Sequence, residues 1–130
     1  MISLEKYRPQ VLGLLRIIAA YMFLLHGTDK VFGVPAVFGA QPLFSLFGIG
    51  GVIEIIGGVL MILGLFTRPV AFILSGQMAV AYFYVHASVS NVLLPILNQG
   101  ELAALYSLVF LYFVVAGPGA FALDNKINRK

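Results

Sequence analysis

Four side chains that can do chemistry interrupt the long apolar stretches of this chain: Arg16, His26, Glu54 and His86. Ionisable groups are costly inside a bilayer and usually face the interior of a helix bundle. A carboxyl group can transfer protons, and an imidazole can transfer protons, form hydrogen bonds or ligate a metal. Each of these positions is therefore a candidate for function, provided that neighbouring elements bring the side chains together.

The two histidines are the first pair to compare. A rise of about 1.5 Å per residue puts His26 and His86 at similar depth near the same membrane surface, above Glu54. A quinone head group can lie between them, with Glu54 or a histidine exchanging its proton. Two histidines can also ligate a b-type haem. A third interpretation is a purely structural polar cluster, and residue types alone leave these alternatives open.

Glu54 lies in a glycine-rich segment. Gly57 and Gly58 follow it and share one broad helix face with it. Small residues let another backbone approach closely, so we expect Glu54 to face a neighbouring helix and the two glycines to serve packing. A structural carboxyl that only forms hydrogen bonds across helices would give the same pattern.

Arg16 interrupts the first apolar segment about 10 Å from its inner end. We expect its side chain to snorkel to the cytoplasmic interface, or to pair with Asp124 after the last segment. A pair with Glu54 would be stretched. Arg16 and Asp124 are therefore assigned structural roles.

Composition indicates the elements that position these residues. Hydrophobic residues make up 61% of the 130 residues and charged residues 10%, against about 25% charged in soluble domains. The mean hydropathy is +1.01. A membrane-spanning helix needs roughly 20 apolar residues. We predict an all-α integral membrane four-helix bundle, a single domain over residues 1–130, with helices at about 11–32, 43–66, 69–87 and 102–116.

Basic residues are distributed unevenly between the predicted loops. Most precede the first segment, lie between the second and third, or follow the fourth: Lys6, Arg8, Arg68, Lys126, Arg129 and Lys130. With four crossings these positions share one side, so the positive-inside rule predicts cytoplasmic N and C termini. The net charge of +3 thus reflects orientation in a membrane, and we expect no nucleic-acid partner.

Some kinds of site are excluded or weakly supported. The chain has no cysteine, which excludes thiol relays, Cys-ligated zinc, iron–sulfur clusters and covalent haem attachment. It has no nucleophile elbow, phosphate-binding glycine loop or HExxH motif. We predict no dedicated metal site.

The connections between helices differ in character. Thr67 or Arg68 is expected to cap the third helix, with Pro69 at its first position. The outer loops, about 31–42 and 88–100, are unusually apolar. We expect them to rest on lipid at the interface, in preference to closing over a site.

Four motifs in order resemble a known family. Arg16 is followed by LLHGTDK at residues 24–30, residues 54–68 read EIIGGVLMILGLFTR, His86 lies in the third segment, and residues 117–124 read GPGAFALD. The ordered set resembles the DoxX family of small bacterial membrane proteins over nearly the whole chain.

The resemblance implies a four-helix bundle of the bacterial inner membrane with cytoplasmic termini. A related small subunit belongs to a thiosulfate:quinone oxidoreductase, and other members are associated with membrane oxidoreductase complexes. Distant relatives act as cargo receptors or assembly factors. If the signature marks a site, it corresponds here to Arg16, His26, Lys30, Glu54 and His86.

The leading hypothesis is the membrane subunit of a quinone-linked oxidoreductase, with a quinone and proton site near the outer leaflet. His26, Lys30, Glu54 and His86 would contact the quinone, and Glu54 would relay protons; haem b is the weaker cofactor candidate. The expected partners are the lipid bilayer, an oxidoreductase subunit and a second copy of the chain. The alternative is a non-enzymatic scaffold or assembly factor, in which the glycine face around Gly57 docks a partner helix.

Overall fold

The regular elements in the described part of the chain are all helical. The computed structural model describes residues 3–128, and that range contains no strand. The helices are α1 (Arg8–Phe32, preceded by a 3-10 turn at Glu5–Tyr7), α2 (Leu46–Leu63), α3 (Thr67–Ala81), α4 (Pro95–Asn98), α5 (Glu101–Ala116) and α6 (Leu123–Ile127). The predicted all-α class is confirmed. Of the basic residues after the fourth segment, Arg129 and Lys130 lie outside the described residues.

Three helical segments are long and apolar enough to cross a membrane: Glu5–Phe32, Leu46–Leu63 and Thr67–His86. The fourth apolar helix, α5, has 16 residues, which is about 24 Å of helix against a hydrocarbon core of about 30 Å. Large apolar side chains point away from the bundle on all four, for example Leu14, Ile56, Phe72 and Leu108. Three to four apolar helices are therefore compatible with membrane spanning.

Local signals end α2 earlier than hydropathy suggests. The segment predicted at 43–66 is helical only over Leu46–Leu63. The side chain of Ser45 accepts a hydrogen bond from the backbone N–H of Gly48, and Gly64 has a left-handed backbone with φ 67°. A serine N-cap and a glycine after the last helical residue are strong helix boundaries.

The helix α3 ends in an unusual turn. Beyond Ala81 it continues as a π-helical turn over Tyr82–His86, in which the N–H of Ala87 donates to the carbonyl of Tyr82, five residues earlier. Such turns are rare and occur often at functional sites. This one carries His86.

Glycines determine how closely α1 and α2 approach. A Cβ atom added to Gly27 would lie 2.8 Å from the carbonyl oxygen of Gly51, and one added to Gly58 would lie 3.1 Å from the Cβ of Leu24. Gly57 faces α3 instead, because an added Cβ there would lie 2.6 Å from a methyl group of Leu74. The glycine face of α2 is therefore occupied by helices of the same chain. The predicted packing role of the glycines fits this arrangement, whereas an exposed docking face for another protein does not.

The contacts of α5 are of two kinds. Ser75 on α3 and Ser107 on α5 each donate a hydroxyl hydrogen bond to the other's carbonyl, at 2.7 and 2.9 Å. Towards α1, aromatic rings fill the space: Phe23 packs edge-on against Tyr106 and Phe110, with centroids 5.2 and 5.0 Å apart. Rings need more room than glycines do, so a wider space separates α1 from α5 than from α2.

One end of the bundle, which we call the anchored end, is formed by the start of α1, the α2–α3 turn, the end of α5 and residues 117–127. Arg16 lies at its centre with none of its surface exposed. Its guanidinium group donates to the carbonyls of Met61 at 2.8 Å, Ala120 at 3.1 Å and Phe121 at 2.7 Å, and also to that of Pro118. The expected snorkelling of Arg16 is wrong, because the segment after α5 folds back and surrounds the group with main-chain acceptors.

Asp124 completes the anchored end. Its carboxylate accepts the backbone N–H groups of Phe66 and Thr67, at 2.8 and 2.9 Å. The expected capping of α3 by Thr67 or Arg68 is wrong, and Pro69 is the third residue of the helix, because a carboxylate 57 residues further along the chain supplies the cap. The expected partnership of Arg16 with Asp124 is indirect, since the aspartate bonds to the backbone of the turn beside it.

Candidate functional site

The other end of the bundle, which we call the open end, holds a cavity of about 450 Å³. The last turn of α1, the start of α2, the π-helical turn, the start of α5 and the loops at residues 33–45 and 87–100 form this end. The four residues predicted to contact a cofactor all line the cavity: His26, Lys30, Glu54 and His86. Residues of four helices, α1, α2, α3 and α5, and of the π-helical turn thus line one space that can hold a small ligand.

Lys30 and Glu54 form an ion pair in the wall of this cavity. The ammonium nitrogen of Lys30 lies 2.9 and 3.0 Å from the two carboxylate oxygens of Glu54. The Glu54 side chain is 1% exposed and that of Lys30 is 23% exposed. The carboxylate is thus buried with its counter-ion, while the lysine remains accessible at the cavity.

The position of Glu54 follows from the close crossing of α1 and α2. A Cβ atom on Gly51 would lie 2.8 Å from the Cβ of Lys30, and one on Gly27 would lie 2.9 Å from that of Glu54. Because neither glycine has a side chain, the two helices approach until the lysine reaches the carboxylate. The predicted face of small residues therefore brings the ion pair together.

Gln77 on α3 is the third partner of this pair. Its amide nitrogen donates to the Gly50 carbonyl at 3.2 Å and to Glu54 Oε2 at 3.4 Å. Gln77 was not predicted, although a lone amide in an otherwise apolar span is a signal that could have identified it.

The two histidines lie on different walls. His26 is half-buried on α1, and its ring packs edge-on against Tyr106 with centroids 6.1 Å apart. His86 is half-buried on the π-helical turn. Neither imidazole donates or accepts a hydrogen bond within residues 3–128. Both imidazoles are therefore available to a ligand in the cavity.

The cavity has apolar residues at its edge. Four exposed apolar side chains, each from a different element or loop, line it beside the polar groups: Phe38, Phe47, Val85 and Leu102. Deeper in the bundle it is bounded by buried residues, including Phe23, Met78 and Tyr106. Such a space suits a ligand with a polar head and an apolar extension.

The loop at residues 33–45 closes part of this space. The buried carboxylate of Asp29 accepts the backbone N–H groups of Val37 and Phe38 at 2.8 and 2.9 Å, and Phe38 and Gln41 line the cavity. Asp29 therefore holds the loop in place and does not itself reach the ligand space. The loop therefore supplies part of the cavity wall, and its contact with lipid stays a prediction.

Tyr82 and Asn98 hold the second outer loop. The hydroxyl of Tyr82 donates to the Val92 carbonyl at 2.6 Å and accepts the Asn98 amide at 3.1 Å. Three further lining residues were not predicted from the sequence: Gln41, Gln99 and Tyr106. Helical periodicity cannot show that residues of two different loops lie at the same cavity. Gln41 and Gln99 could therefore not be predicted in this way.

The remaining predicted residues lie elsewhere. Arg16 and Asp124 form the anchored end, and Gly57 and Gly58 contact helices within the chain. Within residues 3–128 no three His, Cys, Asp or Glu side chains are grouped so that they could hold a metal ion.

Comparisons with known proteins agree with this architecture. Residues 11–87 match the family model described as DoxX. An uncharacterized protein of Haemophilus influenzae is 55% identical over 134 residues, with both chains fully covered. The inner membrane protein YqjF of Escherichia coli is 25% identical, covering 88% of this chain and 90% of its own, and the inner membrane protein YphA of the same organism is 28% identical, covering 92% and 91%.

No solved structure matches the chain. The family match covers more than half of the sequence and includes three of the cavity's helical walls. Together with the apolar helices, the comparisons identify a multi-pass protein of the bacterial inner membrane that belongs to the DoxX family.

Proposed function

We propose that this protein binds the head group of a membrane quinone in the open-end cavity, as the membrane subunit of a quinone-linked oxidoreductase. The observation that carries the proposal is the convergence of His26, Lys30, Glu54 and His86 on one cavity with exposed apolar residues at its edge. A quinone combines a polar ring with an apolar tail, which matches this distribution of side chains. A volume of about 450 Å³ falls within the usual range of small-molecule sites.

The same proposal includes four membrane crossings with both termini in the cytoplasm. Described basic residues lie mainly at the anchored end: Lys6, Arg8, Arg68 and Lys126. Lys30 at the open end is paired with a carboxylate. This asymmetry supports a cytoplasmic anchored end. Because the chain has no native cysteine, labelling of Leu4→Cys and Ser90→Cys by an impermeant maleimide tests it: in intact cells only Ser90→Cys should react.

Each cavity residue has a distinct role in the proposal. His26 and His86 form hydrogen bonds with the ring oxygens, and Lys30 favours negative charge on the ligand. Glu54 exchanges protons with the ligand, since it is the buried carboxyl group of the cavity. Bound quinone would supply two-electron redox chemistry. Since the chain has no cysteine for a thiol relay or an iron–sulfur cluster, the electrons would come from a partner subunit or from another bound cofactor.

The experiment is a reduced-minus-oxidised ultraviolet–visible spectrum of the protein purified in mild detergent. A near-ultraviolet quinone difference is expected. A Soret band would instead indicate haem held by the two histidines. A featureless spectrum from folded protein, even after added quinone, would overturn the quinone site and favour a scaffold or assembly role.

Substitutions then locate the site. Glu54→Gln should abolish quinone turnover by the assembled complex, and His86→Ala should weaken quinone binding, while both proteins stay folded. Glu101→Gln is the matched control, because Glu101 is an exposed carboxyl group at the start of α5 outside the cavity lining. Full quinone binding by both Glu54→Gln and His86→Ala would show that the ligand binds elsewhere.

A further inference from the structure

Tyr106 carries a buried hydroxyl group that no other described side chain or backbone group satisfies. The residue is 5% exposed and lines the open-end cavity. Its hydroxyl has no hydrogen-bond partner among residues 3–128. A buried hydroxyl without a partner carries an uncompensated desolvation cost, so a ligand that completes this bond gains an advantage over one that cannot.

A second tyrosine at the same end shows how unusual this is. Tyr82 is buried to a similar degree, and its hydroxyl both donates to the Val92 carbonyl and accepts from Asn98. Buried tyrosine hydroxyls normally find such partners. The two residues thus differ in role: Tyr82 fastens a loop, whereas Tyr106 lines the ligand space.

Aromatic packing determines the orientation of the Tyr106 ring. The ring stacks on Phe110 with centroids 5.8 Å apart and an interplanar angle of 12°. It packs edge-on against Phe23 at 5.2 Å and against His26 at 6.1 Å. Three neighbouring rings therefore hold the hydroxyl in place before any ligand binds, which is the condition for a specific polar contact.

Among the described residues, Glu54 and Lys30 are already paired with each other, so Tyr106 offers the cavity an unpaired donor in addition to the two histidines. The Glu54 carboxylate already accepts from Lys30 and Gln77, and the Lys30 ammonium group is directed to that carboxylate. A phenol hydroxyl is a hydrogen-bond donor that needs no change in charge. Its natural partner is a neutral acceptor such as a ring carbonyl.

We infer that Tyr106 donates a hydrogen bond to a carbonyl oxygen of the bound head group, and that it selects ligands with a carbonyl-bearing ring over hydrocarbons of the same shape. The inference rests on the proposed quinone site and adds a specificity-determining residue to it. Removing a hydrogen bond that leaves a buried polar group unpaired is a strong source of discrimination, greater than a change in apolar contact.

The test measures binding of a one-isoprene ubiquinone, by equilibrium dialysis in mild detergent, to the wild-type protein and to Tyr106→Phe. The substitution keeps the ring and its stacking. We expect the dissociation constant to rise about tenfold, as for the loss of one net hydrogen bond. Tyr112→Phe is the matched control, since Tyr112 is an exposed tyrosine on the same helix. Loss of the Tyr112 hydroxyl group should leave the affinity for the quinone unchanged.

A second ligand separates specificity from a merely structural effect. The probe is the same prenylated ring without its oxygens. Wild-type protein should bind it at least tenfold more weakly than the quinone, and Tyr106→Phe should reduce that ratio. If wild-type protein binds both probes equally, no acceptor is recognised and the inference is wrong, whatever the variant does.

The outcomes distinguish the two proposals. Absence of quinone binding by folded wild-type protein would overturn the proposed function, and the inference with it. Equal quinone affinities for the wild type and Tyr106→Phe would overturn the inference alone and leave the quinone site in place.

Discussion

Besides the exposed Arg8 at its start, helix α1 carries Arg16 and Lys30, and the two ends of the bundle treat these two in opposite ways. At the anchored end Arg16 is fully buried and donates only to main-chain carbonyls. At the open end Lys30 meets a carboxylate and keeps 23% of its side chain exposed beside a cavity. The planar guanidinium group has several donors in a rigid fork, whereas an ammonium group is a point charge on a flexible stem. Arg16 therefore stabilises the fold, whereas Lys30 remains available to a ligand.

The largest expected effect comes from Arg16→Met. The substitution leaves the carbonyls of Met61, Pro118, Ala120 and Phe121 without their donor. Each unsatisfied buried group costs about 1–3 kcal/mol, so we expect a loss of about 4 kcal/mol in the free energy of unfolding. Thermal unfolding in mild detergent measures it. Arg8→Met is the control, because that side chain is 70% exposed; equal losses for both variants would contradict the anchoring role.

Lys30→Met should have a smaller effect that a second substitution can relieve. It leaves the Glu54 carboxylate buried without its cation, and we expect a loss of about 2 kcal/mol, below the cost of breaking a fully buried pair. Adding Glu54→Gln should recover part of the loss, because the remaining amide carries no charge. Unfolding of both single variants and the double variant gives the coupling energy. Strict additivity would mean that the ion pair does not exist in the membrane protein.

The smallest effect is expected from Asp124→Asn. Burial alone would raise the pKa of Asp124, but the N–H groups of Thr67 and Phe66 and the charge of Arg16 bring it below its usual value. The folded state therefore binds fewer protons than the unfolded state, and the carboxylate's contribution is lost as the pH falls. Losing the charged cap should cost about 1 kcal/mol at neutral pH.

The pH dependence gives the corresponding check. The difference in melting temperature between wild type and Asp124→Asn should be constant above about pH 5 and should shrink as the pH falls below about 4. A difference that grows on acidification would show that Asp124 does not act as an ionised cap.

The two ends also differ in what the sequence could reveal. At the open end, ionisable residues within apolar segments signalled His26, Glu54 and His86, because an ionisable group inside a membrane span is costly and usually faces the bundle interior. Lys30 was indicated by the family resemblance. Tyr106 gave no such signal, since an aromatic residue in a membrane helix looks like any other packing residue. Its importance depends on an unpartnered hydroxyl, which only the assembled structure reveals.

At the anchored end the decisive contacts are long-range. Arg16 bonds to backbone atoms more than 100 residues away, and carbonyl groups belong to every residue type, so composition carries no trace of them. Hydropathy alone favours snorkelling of Arg16. The structure differs because the segment after α5 folds back against α1 and supplies carbonyl acceptors to the guanidinium group. The spans themselves follow from hydropathy, while their ends depend on local caps such as Ser45 and Gly64.

The hydrogen bonds of the Arg16 guanidinium group have a consequence for the insertion of the protein during its synthesis. The carbonyls of Pro118, Ala120 and Phe121 leave the ribosome after all four apolar helices, so α1 enters the membrane with a charge that has most of its acceptors still to come. An arginine within a membrane helix costs about 2.5–3.5 kcal/mol at insertion. Stable residence of the first helix in the bilayer is therefore tied to synthesis of the segment after α5, and a nascent chain interrupted before Pro118 is distinguishable from a finished one by its unsatisfied arginine.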